Sequence, residues 1–143
     1  MTDPADFADN PIDELCERAN RLTRYALDFA AQPAPVTERS IRRQLDKLLR
    51  IERDVLRPFL GERGIHVSVL GGGGDKLRQL QLDLAQGNSP FSDVADALHS
   101  ALDAYAKHLC SVVSDRLRAL DDDALKQLAL RMYPFHDDYH VSA

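Results

Sequence analysis

The stretch 40–60, SIRRQLDKLLRIERDVLRPFL, constrains the fold more than any other part of the chain. Ile41, Leu45, Leu48, Val55, Leu56 and Phe59 recur at the three- and four-residue spacings of one helical face. Glu52 falls on that same face, so a carboxylate stands where a core side chain belongs. Buried polar groups find partners, and a chain that buries this face has to supply one for Glu52.

The flanking segments carry the same period. Asn10 and Pro11 form a cap-then-proline start, and Ile12, Leu15, Cys16, Ala19, Leu22, Ala26, Phe29 and Ala30 hold one apolar face until Pro33 and Pro35. Thr37 is the expected N-cap of the second helix, which runs to Gly61 or Glu62 with Pro58 near its end. Residues 63–74, ending in four glycines, read as a connection that packs and then swings freely. A third, shorter helix over 75–86 uses Leu77, Leu80 and Leu84 and closes at Gly87 and Asn88. Ser89 and Pro90 start a fourth, with Phe91, Val94, Leu98, Leu102, Tyr105, Leu109, Val112 and Leu117 inward. Asp121–Asp123 cap a short C-terminal helix over 124–132 that docks Leu125 and Leu128.

These segments predict an all-α, up-down-up-down four-helix bundle with a short fifth helix, in one domain of 143 residues. Residues 1–9 are expected to be a disordered acidic lead-in, 10–132 the bundle and 133–143 a flexible tail. A formal net charge of -5 argues against a protein that coats nucleic acid. The N-terminus lacks a basic and apolar leader and no run approaches a membrane span, so the expected compartment is the cytoplasm. Cys16 and Cys110 are too few for a disulfide scaffold and read as small free hydrophobes, a bridge between them being the minor alternative.

The opening Asn10-Pro11-Ile12-Asp13, the second-helix ending 51–60 (IERDVLRPFL) and the closing helix rich in Leu, Ala, Arg and Met resemble the bacterial hemerythrin-like bundles over residues 10–132. That resemblance implies six metal-facing positions. They fall at Ala19, at the pair Leu48 and Glu52, near Gly74, and at the pair Tyr105 and Leu109. Only Glu52 is a usual metal ligand there, and one carboxylate cannot hold two iron ions, so no metal or other cofactor is expected. A hydrogen bond from Tyr105 to Glu52 is the expected replacement.

Other candidates carry weaker chemistry. His99 and His108 lie nine apart on the fourth helix, on opposite sides, although His108 adjoins the Leu109 position and is the one rescue ligand to consider beside Glu52. The tail His136-Asp137-Asp138-Tyr139-His140 has clamp-like spacing and reads as a solvated tail. Gly71–Gly74 followed by Asp75 and Lys76 lacks the pattern and preceding strand of a phosphate loop. Arg39, Arg42, Arg43, Lys47, Arg50, Arg53 and Arg57 make the second helix basic within an acidic chain. Arg43, Lys47, Arg50 and Arg57 are the expected contacts for an acidic protein partner, whereas the strip lacks aromatic residues for stacking nucleic acid. No nucleophile, base and orienter assemble. The leading expectation is a non-enzymatic interaction or regulatory module that binds an unidentified protein, with a homodimer left open. The alternatives are an iron-dependent oxygen or redox sensor or oxidase with a site rearranged around Glu52, Tyr105 and His108, and an apolar-ligand binder using space beside Ala19, Leu48, Tyr105 and Leu109.

Overall fold

The computed structural model describes residues 11–87 and 90–135. The expected lead-in, the caps at Asn10 and Ser89, the closure at Asn88 and the clamp-like tail from His136 lie outside the described residues. Among these residues every regular element is helical: α1 (Pro11–Ala31), α2 (Pro35–Ile51), α3 (Arg57–Glu62), α4 (Gly73–Ala85), α5 (Phe91–His108), α6 (Ser114–Arg118) and α7 (Asp122–Met132). A π-helical turn, Glu52–Leu56, joins α2 to α3, and a second, Leu109–Val113, joins α5 to α6, so each pair forms one continuous rod.

The apolar stripe of the opening stretch is buried at every one of its positions, Ile41, Leu45, Leu48, Val55, Leu56 and Phe59. α1 packs against α2 and α5, α4 packs against the same two, and α7 covers α1 and the first π turn. Phe29 and Phe91 meet edge to face with ring centroids 4.6 Å apart, fastening α1 to the start of α5. No helix of the described residues is long and apolar enough to cross a membrane.

Proline and glycine set the ends. α2 starts at Pro35 behind an extended Ala34, and Thr37 lies inside its first turn instead of capping it. Proline's fixed φ is pre-organised for that first position, so no side-chain acceptor is needed there. At the far end Gly64 adopts φ 73°, its N–H bonds to the Gly61 carbonyl at 3.1 Å, and the Ile65 N–H bonds to the Leu60 carbonyl at 2.9 Å. This pair of bonds satisfies carbonyls the helix leaves open and turns Ile65 onto the core. Asp121 caps α7 as expected, its carboxylate accepting from the Ala124 N–H at 2.8 Å.

Three local expectations are corrected. The connector does not swing freely: Val67–Leu70 winds into a 3₁₀ turn, Leu70 is buried, and the last two glycines of the run open α4. Val112 is exposed while Val113 and Ser114 are buried, because a π turn takes in one more residue than an α turn and shifts the inward face. Tyr133–Phe135 form a 3₁₀ turn instead of entering an extended tail, and the Phe135 carbonyl accepts from the buried Arg18 guanidinium at 3.0 Å.

Candidate functional site

Both π turns have local causes. In the first, the Arg57 N–H reaches back five residues to the Glu52 carbonyl. Pro58 follows, with no N–H to give and a ring that would crowd the carbonyl four residues earlier in a regular α-helix. In the second, the Ser114 N–H bonds to the Leu109 carbonyl, and the Ser114 hydroxyl donates to that same carbonyl at 2.8 Å. A side chain inserted into the backbone ladder loosens the helix there. Such turns re-aim the residues that open them, and here those residues are Glu52 and Leu109.

Glu52 is 1% exposed. Tyr105, also buried, donates its O–H to Oε1 at 3.2 Å, the bond expected from the sequence. The other oxygen, Oε2, has no hydrogen-bond donor among the described residues, but the Arg78 guanidinium lies 3.8 Å away. Arg78 also pairs with Asp75 at 3.1 Å, and Arg57 reaches Asp75 at 3.9 Å, so a small charged network runs from the Glu52 carboxylate to the surface. Burial raises the Glu52 carboxyl above its ordinary value, against the lowering effect of the Tyr105 hydrogen bond and of the Arg57 and Arg78 charges. Burial, then the Glu52 charge, pushes the Tyr105 phenol well above its usual range.

Gly74 is what lets this arrangement close. A Cβ on Gly74 would collide with both carboxylate oxygens of Glu52, and a Cβ on Gly73 would stand 3.2 Å from the Tyr105 ring. The first turn of α4 therefore lies directly on the Glu52–Tyr105 pair, with the positive end of the helix toward the carboxylate. Of the six positions implied by the resemblance, Glu52, Gly74 and Tyr105 come together, whereas Ala19, Leu48 and Leu109 are buried members of the apolar core.

This donor set does not fit a di-iron centre. It offers one carboxylate, already bonded to a phenol and blocked on one side by backbone, where two ions would need several anionic or imidazole ligands. His108 is not part of it: its Nε2 is bonded to the Val69 carbonyl at 2.7 Å, and its ring packs on Gly71, which adopts φ 72°. Among the described residues no three His, Cys, Asp or Glu side chains converge as a metal site. Two surface hollows among the described residues lie away from this centre. One of about 300 Å³ is lined by Phe29, Pro33, Pro35, Pro90 and Phe91, and one of about 280 Å³ by Arg63, Leu120, Asp121 and Ala124.

The basic strip is largely paired within the chain. Arg42 binds Glu38 at 3.0 Å, Arg50 binds Asp46 at 3.1 Å, and Arg53 binds Asp54 at 2.8 Å. Arg57 belongs to the network around Asp75, and Lys47 is half-buried. Arg39 and Arg43 are exposed, one turn apart, and Val36 beside them is 65% exposed. Sequence reasoning missed Arg78, which sits on a helix with no visible tie to Glu52, and the buried Arg18, which looks like an ordinary surface arginine. No family model, curated protein or solved structure matches the chain.

Proposed function

We propose that this chain is a non-enzymatic interaction or regulatory module, built as a hemerythrin-like, up-down-up-down bundle that has lost di-iron binding and closes its centre with the Glu52–Tyr105 hydrogen bond. The observation that carries this reading is the packing of Gly74 onto the Glu52 carboxylate. A group held between a phenol, a helix backbone and an arginine is a structural part of the core.

The surface that would then meet a partner is the outer face of α2 around Val36, Arg39 and Arg43. These residues share one helical face, and in a chain of net charge -5 they fit an acidic protein surface with a small apolar contact. The sensor alternative would require His108 to leave the Val69 carbonyl and Glu52 to leave Tyr105.

Two measurements test the proposal. Elemental analysis of untagged protein, purified without chelator, is expected to find far less than one iron per chain, and stoichiometric iron would overturn the reading. Cross-linking in extracts, compared between the native chain and the double variant Arg39→Glu, Arg43→Glu, is expected to lose a salt-sensitive product in the variant. An identical set of products from both chains would remove α2 as the docking face.

A further inference from the structure

The two cysteines, separated by most of the sequence, meet where α1 packs against the second π turn. Cys16 on α1 places its Sγ 3.4 Å from the Oγ of Ser114, one turn beyond Cys110, which makes the Cys16 and Cys110 side chains neighbours. Both cysteines are free and half-buried, so a small oxidant can reach them from solvent. Cys110 lies within the second π turn. Arg118, farther along the same rod, sets a positive charge near the pair. Asp13 at 3.9 Å and Asp115 at 3.8 Å share that guanidinium. Two partly exposed thiols placed side by side have one feature of a redox-active site, a second cysteine poised to resolve the first.

We propose that Cys16 and Cys110 form a dithiol site that hydroperoxides oxidise to a disulfide, tying α1 to the π turn of the α5–α6 rod. The roles of the two sulfurs differ. Burial, then the neighbouring Cys16, pushes the Cys110 thiol up to about 12, which makes Cys110 slow to attack a peroxide and leaves that first step to Cys16. Cys16 sulfur attacks one peroxide oxygen, the O–O bond breaks, and the other oxygen leaves as water or alcohol with the proton of the Cys16 thiol. Cys16 is now a sulfenic acid. Cys110 sulfur then attacks Cys16 sulfur, the S–S bond forms, and the sulfenic hydroxyl departs as water with the Cys110 proton. The two thiols lose two electrons in total and the peroxide accepts both.

The experiment treats the full chain with hydrogen peroxide and follows free thiols by alkylation, with intact mass and non-reducing peptide mapping. The expected product is a monomer lacking two hydrogens, whose Cys16 and Cys110 peptides are joined, and which a dithiol reductant returns to the starting mass. Cys110→Ser is expected to trap a sulfenic acid at Cys16 that dimedone captures, whereas Cys16→Ser is expected to react more slowly. Mapping of the native chain needs neither variant to fold. The proposal is overturned if both thiols survive peroxide that oxidises a free thiol control, if the links form between chains, or if sulfinic and sulfonic acids accumulate with no internal link. Faster oxidation of Cys110 in Cys16→Ser than of Cys16 in Cys110→Ser would overturn the assigned roles.

Discussion

The two π turns use one backbone device for opposite ends. Each interrupts a long rod, and each is opened by a buried residue whose carbonyl accepts from an N–H five positions on. The first is opened by Glu52, with Tyr105, Arg78 and the α4 backbone gathered around its carboxylate. The second is opened by Leu109, which joins the apolar core, and its polar atoms point elsewhere: Ser114 to the Leu109 carbonyl and to Cys16. A widened turn therefore does not make a polar centre by itself. The centre exists only where neighbouring elements supply a donor, a counter-charge and a glycine, and it exists on one side of the molecule.

The most severe way to break the asymmetry is to make the second turn resemble the first. Leu109→Glu buries a carboxylate among apolar neighbours with no partner provided, and is expected to cost about 3–5 kcal/mol at neutral pH, less in acid where the new group is protonated. Urea titrations at two pH values would measure it. A cost below about 1 kcal/mol would mean that the second turn already has access to water or charge, and the contrast would collapse. The next effect in size comes from removing the donor on the first side. Tyr105→Phe leaves Oε1 buried beside Oε2, which already lacks a hydrogen-bond donor among the described residues, and should cost about 1–3 kcal/mol. The same measurement in a Glu52→Ala background should show much of that cost gone, since the acceptor is then absent.

The legible parts of the sequence were those with a period. The stripe of the second helix, its odd carboxylate and the Tyr105 partner could be read because positions on facing helices point at one another. The glycine run is ambiguous in the sequence for a physical reason. Glycine marks both a loose hinge and a close approach, and only the presence of Glu52 opposite Gly74 decides between them. A constant helical period places Val112 inward because it knows nothing of a π turn, and Thr37 reads as a cap although Pro35 already opens the helix behind Ala34. The sequence leaves a Cys16–Cys110 pairing a minor reading, since each residue taken singly fits an apolar stripe.

Gly74 sharpens the comparison further through a change of sign. Gly74→Ala drives a Cβ into the Glu52 carboxylate and should cost about 1–3 kcal/mol, because the buried acid must shift and loosen its bond to Tyr105. In the Glu52→Ala background the obstruction is gone and alanine outranks glycine within a helix. The same substitution should then stabilise by about 0.5–1 kcal/mol. Equal effects in the two backgrounds would show that Gly74 is there for some reason other than the carboxylate.

The smallest effect concerns proton linkage, and its direction carries the information. Glu52 has its folded-state carboxyl raised above the ordinary value of 4.5, so the folded chain holds a proton that the unfolded chain has released. Its contribution to stability is fully present below that ordinary value and is lost as pH rises through the folded one. Glu52→Gln keeps an oxygen for the Tyr105 hydroxyl but has no proton to lose. Measured by urea midpoints from pH 4.5 upward, the native chain should lose ground steadily to Glu52→Gln and then run parallel to it. The opposite slope, with the native chain gaining on the variant as pH rises, would mean that Arg57 and Arg78 outweigh burial. In that case the first π turn would hold a genuine buried ion pair, and the contrast with the apolar second turn would be one of charge as well as of hydrogen bonding.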